Sequence, residues 1–379
     1  MKLNSIGKAF GTTLSATAIA ALTLAGCGSD NNAGTAETTG TGTGTASATG
    51  ECGGKNEVTA EGSTAQQNAI AVFNQVWGQV CEGKNLSYNP TGSGAGREQF
   101  IAKQVDFAGS DSPLADEQIQ QAADRCGGNP AWNLPLVFGP IAMAYNIEGV
   151  DKLVLNGDVL GKIFQGQVTK WNDPAIAGLN AGATLPDTVI TPIYRSDSSG
   201  TTDNFQKYLT AAAPPWNSLP APLVQDCGAG EGAQKSAGVV QAVQATPGSI
   251  GYVEKGFAEQ AGVPFAQIDS GAGAVELTDE SAGKAIDAAK FAAEGNDLSL
   301  DLNSLYGTKE AGAYPLVLAT YEIVCSKGYD AETAEAVKSF LTVAASQGQE
   351  GLSEAGYIPL PDTFKERLVG SIDAISSTA

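Results

Sequence analysis

A polar segment, YRSDSSGTTDNF, occupies residues 194–205 and carries residue types that could do chemistry. Arg195 and Asp197 stand among serine and threonine hydroxyls and a single glycine. These residues could include a nucleophilic serine, form a group of hydrogen-bond donors around an anion, or make a polar turn that caps a helix. A strand-like run, TVITPIYR, leads into the segment and a helical run, TTDNFQKYLTAAA, follows its glycine. The segment is therefore predicted to join a strand to the start of a helix.

The sequence contains no histidine at any of its 379 positions. A nucleophilic serine needs a base or a metal ion that activates its hydroxyl, and histidine is the usual base. A Ser-His-Asp triad is therefore impossible, and the most common zinc ligand is missing as well. We predict a protein that is not an enzyme, with no catalytic residue, no metal site and no cofactor.

Three earlier turns share this strand-to-helix position. They are EGSTAQ at 61–66, TGSGAGR at 91–97 and GSDSPL at 109–114. Helix N-termini present unpaired N–H groups and a partial positive charge, so each turn is a potential anion site. In a parallel sheet all three lie together at the carboxyl ends of the strands, where ligands bind. TGSGAG lacks the spacing and the lysine of a nucleotide-binding fingerprint.

Single residues in these turns have distinct expected roles. Ser63 is the predicted N-cap of a helix over residues 63–83, and Ser63, Thr64 and Ser93 would add hydroxyl donors to the site.

In the later turn, Arg195 would supply a permanently charged fork suited to an oxyanion, and Asp197 would hold that arginine in place. Ser199, Gly200 and Thr201 would present N–H groups, and Gly200 would let the backbone approach a ligand closely. Taken alone, this segment fits a capped helix with a surface ion pair equally well.

Asp111 narrows the class of ligand. A carboxylate among anion-binding N–H groups repels an anion, unless the anion carries a proton that the carboxylate can accept. Hydrogen phosphate carries such a proton, whereas sulfate would leave two acceptors facing each other, at a cost on the order of several kcal/mol. The predicted ligand is therefore a protonated tetrahedral anion. The alternative is that Asp111 caps a helix that begins near Pro113.

From residue 55 onward, strand-like and helical runs alternate, which predicts βαβ units and a mainly parallel sheet. Two apolar segments, 132–146 and 313–326, have the character of crossings between two lobes. A single larger α/β domain is the alternative. The predicted boundaries are residues 55–140 with 320–379 for the first lobe, 141–319 for the inserted second lobe, and hinge segments near 141–146 and 314–322.

The N-terminus resembles a bacterial lipoprotein export signal. Residues 1–26 contain Lys2 and Lys8, then the apolar stretch ATAIAALTLAG, and the sequence continues at once with Cys27. The resemblance implies cleavage before Cys27, acylation of its sulfur and attachment to the extracytoplasmic face of the cell membrane by lipid alone. An ordinary signal with a chance cysteine is the alternative. Residues 27–54 would be the lipidated cysteine and a flexible tether rich in glycine and threonine.

Five cysteines remain after Cys27, so at least one of them has no partner within the chain. Outside the cytoplasm the others can form disulfides. We predict the pairs Cys52–Cys81 and Cys126–Cys325, with Cys227 free, although other pairings stay open. The formal net charge of −20 argues against nucleic acid or an anionic lipid surface as a partner.

Several ordered motifs resemble the phosphate-binding proteins that serve the Pst-type phosphate ABC transporter. The motifs are GSTAQ, GSGAG, VDFAGSDSPL, IFQGQVTKWNDPAI, RSDSSGTTDNF and TPGSIGYVE, and the similarity covers most of residues 56–370. The resemblance implies an α/β protein of the class II periplasmic-binding fold, with two α/β lobes, two hinge segments and the ligand in the cleft. It also implies capture of inorganic phosphate by a monomer and delivery to membrane permease subunits.

The resemblance assigns phosphate contacts residue by residue. The assigned residues are Thr64, Ala65, Ser93, Asp111, Arg195, Ser199, Gly200 and Thr201, with Asp197 in support. Two positions depart from the usual family pattern. Ala65 stands where a larger side chain is common, and Ser198 stands where glycine is frequent, which puts the conformation of that turn in question.

Three other functions remain open at this point. One is a phosphatase that uses Ser199 or Ser93 as a nucleophile, which the lack of histidine disfavours. Another is binding of a different oxyanion, and arsenate in particular is nearly isosteric with phosphate. The last is a surface adhesin or a sensor that retains the binding site.

Overall fold

The structure is a computed structural model that describes residues 52–213, 230–292 and 294–378. All of them belong to one compact unit, Ala48–Ala379. The predictions for the signal segment, for Cys27, for the tether up to residue 51 and for Cys227 lie outside the described residues. Within the described ranges, the helices are too short or too polar to cross a membrane.

Strands and helices alternate through most of the described chain. The strands are β1 (Glu57–Gly62), β2 (Asn85–Pro90), β3 (Phe107–Ser110), β4 (Ala131–Tyr145), β5 (Val154–Asn156), β6 (Thr191–Arg195), β7 (Glu231–Ala233), β8 (Ser249–Glu254), β9 (Gln267–Asp269), β10 (Ala274–Val275), β11 (Lys290–Phe291), β12 (Leu300–Asp301), β13 (Val317–Cys325), β14 (Lys327–Tyr329) and β15 (Ser376–Ser377). The helices are α1 (Gln67–Val80), α2 (Ser93–Ile101), α3 (Asp116–Arg125), α4 (Gly157–Phe164), α5 (Pro174–Ala177), α6 (Gly200–Ala212), α7 (Lys235–Ala245), α8 (Lys255–Ala261), α9 (Asp279–Ile286), α10 (Asn303–Tyr306), α11 (Ala331–Ala345) and α12 (Asp362–Asp373), with a 3-10 helix at Gln347–Gly351.

The largest sheet of the described chain has eight strands in the order β2-β1-β3-β13-β4-β8-β6-β7. Strand β1 pairs in parallel with β2 and β3, and β6 pairs in parallel with β7 and β8. Between these two parallel groups lie β13 and β4, which are antiparallel to each other and to their outer neighbours. The predicted βαβ units are therefore present in both groups.

Strand β4 links the two groups, because residues 131–140 pair with β13 and residues 141–145 pair with β8. The segment that we predicted as a crossing is thus one continuous strand of 15 residues. Its Pro135 lies where the register with β13 shifts between Thr320 and Tyr321. Such an irregularity is where a sheet tolerates proline, which cannot donate to the ladder. The boundaries predicted for the two lobes remain a prediction.

Helix α1 shows how the sequence pattern becomes packing. Its apolar residues are spaced three and four positions apart, which predicts a buried face made of Ile70, Phe73, Trp77 and Val80. The first three are buried as expected, and Val80 is half-buried. Trp77 donates from its indole Nε1 to Ser339 of α11 at 3.0 Å and meets the ring of Phe340 edge-on at 5.4 Å. Helix α11, from the last part of the chain, therefore packs against α1 from its beginning.

Both predicted disulfides are confirmed. Cys52 and Cys81 join residues 29 apart, and Cys126 and Cys325 join residues 199 apart. The second disulfide ties the residue after α3 to the last residue of β13. Disulfides persist in oxidising surroundings, so this pairing fits a protein that lies outside the cytoplasm.

Candidate anion-binding site

Four turns converge at the carboxyl ends of the parallel strands. The turns after β1, β2 and β3 come from the first group of strands, and the turn from β6 into α6 comes from the second. The first three turns lie together because β1, β2 and β3 are parallel, and the fourth meets them where Asn204 on α6 donates to the carbonyl of Asp111.

Asp111 lies at the centre of the site that these four turns form. The side chain is only 3% exposed, and its carboxyl group accepts hydrogen bonds from the hydroxyls of Ser63 (2.5 Å), Ser93 (3.0 Å) and Thr320 (2.7 Å). The pKa of Asp111 is raised to about 6, mainly by burial; the hydroxyl contacts, that of Ser63 first, offset part of the rise, and the charge of Glu254 adds to it. A carboxyl group with a pKa in this range can exchange a proton with a ligand near neutral pH.

The predicted role of Ser63 as a helix N-cap is wrong. Helix α1 begins at Gln67, and Gln66, the N-cap residue, makes no side-chain capping bond. The hydroxyl of Ser63 donates to Asp111 and accepts from the N–H of Ala65 at 3.0 Å. Ser63 therefore orients the carboxyl group and the first turn, because its hydroxyl is already committed to both.

The alternative in which Asp111 caps a helix near Pro113 is also wrong. Helix α3 begins at Asp116 and its N-cap residue is Ala115. Asp111 instead connects the two groups of strands, since its backbone carbonyl accepts from the amide of Asn204 on α6 at 2.7 Å. The hydroxyl of Tyr306 donates to the other end of the Asn204 side chain.

Arg195 is almost completely buried, at 2% exposure, and is paired with Asp197. Its Nε donates to Oδ1 of Asp197 at 2.7 Å, and Nη2 donates to the other oxygen. Burial alone would raise the pKa of Asp197, but the hydrogen bond and charge of Arg195 outweigh burial and lower it. The remaining nitrogen, Nη1, lies 3.5 Å from the hydroxyls of Thr201 and Ser236.

Two buried residues of the second group of strands were not predicted. Glu254, the last residue of β8, accepts a hydrogen bond from the hydroxyl of Thr201 at 2.7 Å and is fully buried. Ser236, near the start of α7, lies 2.9 Å from the hydroxyl of Thr64 in the first turn. The motif TPGSIGYVE ends at Glu254, so the sequence did point to that residue as part of the site. Ser236 lies in none of the motifs, and nothing in the sequence pointed to it.

Small residues allow the turns to touch. A Cβ atom added to Gly200 would lie 2.5 Å from Cβ of Asp111, and one added to Gly94 would lie 2.0 Å from Oγ of Ser198. The N–H of Gly94 donates to the carbonyl of Ser198 at 3.3 Å. Ser199 is the N-cap of α6 and accepts from the N–H of Thr202 at 3.2 Å. The serine that departs from the family pattern is thus part of the contact between the turns.

A cavity of about 410 Å³ borders the site on one side. Its lining includes three residues of the site, Ser93, Ser199 and Gly200. Arg97, Lys207 and Asp203 also line it, and Lys207 is paired with Asp203 at 2.6 Å. An anion that reaches the buried carboxyl group through this cavity would therefore pass two cations and one carboxylate.

Comparison with known proteins places the chain in a class. Residues 10–347 match the model of the PBP superfamily domain, so the chain belongs to that superfamily of binding proteins. The structure superimposes on a phosphate-binding protein from Stenotrophomonas maltophilia with a TM-score of 0.63, at 19% identity over 83% of this chain and 94% of that one. It also matches a human phosphate-binding apolipoprotein with a TM-score of 0.65, at 21% identity over 83% and 93% of the two chains. The predicted class II periplasmic-binding fold with two α/β lobes is confirmed.

Sequence similarity narrows the class to one family. The chain is 48% identical to the phosphate-binding protein PstS 3 of Mycobacterium tuberculosis, over 99% of this chain and 100% of that protein. It is 47% identical to phosphate-binding protein PstS2 of Mycobacterium bovis, over 97% and 98%. This chain belongs to the PstS family of phosphate-binding proteins.

Proposed function

We propose that this protein captures inorganic phosphate outside the cytoplasm and delivers it to the permease subunits of a phosphate ABC transporter. The observation that carries the proposal is the Asp111 carboxyl group, buried among three hydroxyl donors and approached by Gly200 of the turn that carries Arg195. Hydroxyls and an arginine fit the unprotonated oxygens of phosphate, and the carboxylate fits a protonated one. Membership of a family whose members are named phosphate-binding proteins supports the same ligand.

The proposed contacts are those assigned from the motifs. Thr64, Ala65 and Ser93 would hold phosphate from the first group of strands, and Asp111 would accept its proton. Arg195, Ser199, Gly200 and Thr201 would hold it from the second group, with Ser63 and Asp197 as supporting residues. Some of these residues contact other side chains of the protein in the structure, as the hydroxyl of Thr64 contacts that of Ser236. Such contacts would be replaced by contacts with the ligand.

Binding would be coupled to the relative position of two lobes, residues 55–140 with 320–379 and residues 141–319. The direct contacts of Gly94 and Gly200 with the opposite turn support closure of these lobes, since they leave no space for even one added carbon. Cys27 would carry the lipid anchor, and residues 27–54 would tether a monomeric body to the membrane.

Calorimetry of the purified, phosphate-free protein tests the function. We expect phosphate to bind with one site per chain and sulfate to bind at least a hundredfold more weakly. Arsenate separates the remaining oxyanion alternative, because tighter binding of arsenate than of phosphate would reassign the ligand. Sustained release of phosphate from a phosphomonoester would instead support the phosphatase. X-ray scattering with and without phosphate tests closure, for which the radius of gyration should fall on binding.

A further inference from the structure

A second cavity, of about 340 Å³, lies at the carboxyl ends of strands β5 and β9. These two strands are parallel, and their last residues, Asn156 and Asp269, are paired in register and both line the cavity. Ligands of α/β proteins bind at the carboxyl ends of parallel strands, and the volume is within the range of about 300–1,000 Å³ that small-molecule pockets have. The lining shares no residue with the proposed phosphate contacts.

Tyr208 is the residue that points to a ligand in this cavity. It lies on α6, lines the cavity and is only 1% exposed. Its hydroxyl oxygen is buried and has no hydrogen-bond partner among the described residues. Burial and the charge of Asp269 raise the pKa of Tyr208, so the hydroxyl keeps its proton near neutral pH. A buried hydroxyl without a partner lowers stability, which favours a ligand that bonds to it.

Most other polar side chains of the lining already have partners. Three of them are bonded within the protein: the side chain of Asn156 to Val159, that of Asp158 to Lys162 and that of Tyr306 to Asn204. Asp269 differs from these, because the N–H groups of Gly271 and Gly273 both donate to its Oδ1, at 2.7 and 3.2 Å. The side chain is half-buried, and Oδ2 is left for a ligand. Tyr208 and Asp269 therefore offer two binding groups in one cavity.

The charges of the lining favour a ligand that donates hydrogen bonds. The last turn of α6 borders the cavity, and a helix C-terminus carries a partial negative charge. The start of α4 carries the opposite partial charge, which Asp158 in its first turn offsets. The cation of the lining, Lys309, is exposed, whereas the carboxyl group of Asp269 is half-buried. The more deeply placed groups thus suit a cation.

We propose that this cavity is a second ligand-binding site, which takes a small molecule with a primary ammonium group. The ammonium group would donate to Oδ2 of Asp269 and to the hydroxyl oxygen of Tyr208, so that both gain a partner. An acidic group elsewhere in the ligand would meet Lys309. Simple amines and amino acids share the ammonium group that the site recognises. The inference goes beyond phosphate capture and does not depend on it.

Calorimetry of the full protein without phosphate, in about 0.15 M salt to screen surface charge, tests the site. The probes are ethylamine, putrescine and glycine, and we expect binding at one site per chain. Tetramethylammonium has the same charge as ethylammonium but no N–H donor, so it should not bind. Equal binding of tetramethylammonium and ethylamine would indicate only attraction of cations to an acidic protein and would overturn the proposal. Absence of binding by all three probes at millimolar concentration would overturn it as well.

Asp269→Asn tests the carboxyl group. Asparagine keeps an oxygen for the N–H groups of Gly271 and Gly273 but loses the charge, so we expect amine binding to weaken about tenfold or more. Asp287→Asn makes the same change in net charge at an exposed position after α9, and this matched control should bind the amine normally. Equal affinities of Asp269→Asn and the unaltered protein would overturn the assignment.

Tyr208→Phe separates a binding role from a structural one. The variant should bind the amine more weakly, because the hydroxyl that accepts from the ammonium group is gone. Its stability without ligand, measured by urea unfolding, should be unchanged or higher, since the hydroxyl has no partner among the described residues. A ligand-free variant that is less stable than the unaltered protein would mean that the hydroxyl serves the fold, and the proposal would then fail.

Discussion

Replacement of Glu322 by glutamine tests whether this buried acid, which lies close to the binding site, is protonated in the folded protein. Glu322 lies on β13 opposite Gly109 and is fully buried, and within the described chain neither of its carboxyl oxygens has a hydrogen-bond partner. The pKa of Glu322 is raised from 4.5 to about 8; burial is the main cause, the neighbouring Gln66 opposes it, and the charge of Asp111 acts in the same direction as burial. Glutamine has the same shape and cannot ionise.

The raised pKa fixes the sign of the effect on stability. The folded protein holds the proton more tightly than the unfolded chain, so the protonated acid contributes stability that is complete below about pH 4.5. That contribution is lost as the pH rises through about 8. Glutamine has no proton to lose, so Glu322→Gln should become more stable relative to the unaltered protein by up to about 1.4 kcal/mol per pH unit. Between pH 4.5 and pH 8 the difference in the free energy of unfolding between the two proteins changes by about 5 kcal/mol.

Urea unfolding of both proteins at pH 5, 6, 7 and 8, without phosphate and with the disulfides intact, measures this difference. Glu366→Gln, an exposed position on α12, is the matched control and should show a difference that does not change with pH. A free-energy difference for Glu322→Gln that stays constant from pH 5 to 8, or that decreases, would refute the reasoning. Such a result would mean that Glu322 is ionised in the folded protein throughout.

Three further results are expected. Asp111→Asn should lower the preference for phosphate over sulfate at least tenfold in calorimetry, since the amide can donate to sulfate; equal ratios in the two proteins would contradict the role of the carboxyl group. Gly200→Ala should weaken phosphate binding more than tenfold and leave the circular dichroism spectrum unchanged, because the added Cβ would collide with Asp111. Gly283→Ala is the control and should bind phosphate normally, since a Cβ added there has no atom within 4 Å. Replacing the cysteines of a disulfide by serine should lower the free energy of unfolding, because the unfolded chain regains entropy in proportion to the logarithm of the loop length. We expect a loss of roughly 5 kcal/mol for Cys126–Cys325 and roughly 4 kcal/mol for Cys52–Cys81. A larger loss for Cys52–Cys81 would argue against this entropic explanation.

Local patterns in the sequence predicted most of the first strands and helices. The buried face of α1 was predicted because helical periodicity depends only on residues three and four apart. The convergence of the first three turns was predictable for the same reason, since alternating strands and helices imply parallel strands whose carboxyl ends meet. The approach of the fourth turn depends on the long antiparallel strands β4 and β13 that lie between the two groups. Elements of this kind are specified by residues close together in the chain.

The residues that the sequence did not reveal act through distant partners. Thr320 donates to Asp111 from 209 residues away, and Ser236 meets Thr64 across 172 residues. A serine or threonine has no local signature for such a role, because its neighbours in the chain do not set its partner. The error over Ser63 has the same origin, since a distant carboxyl group takes the hydroxyl that local rules assign to the helix.

The balance of charge explains how so acidic a chain can hold an anion. With a net charge of −20, the protein as a whole repels phosphate, and the guanidinium of Arg195 is already neutralised by Asp197. Binding must then depend on hydrogen bonds from uncharged hydroxyl and backbone donors, which are strong in a buried site. In the proposed site, carboxyl groups such as Asp111 would reject anions that bring no proton. Selectivity therefore arises from matching protons to acceptors, and an excess of positive charge would weaken it by admitting any anion.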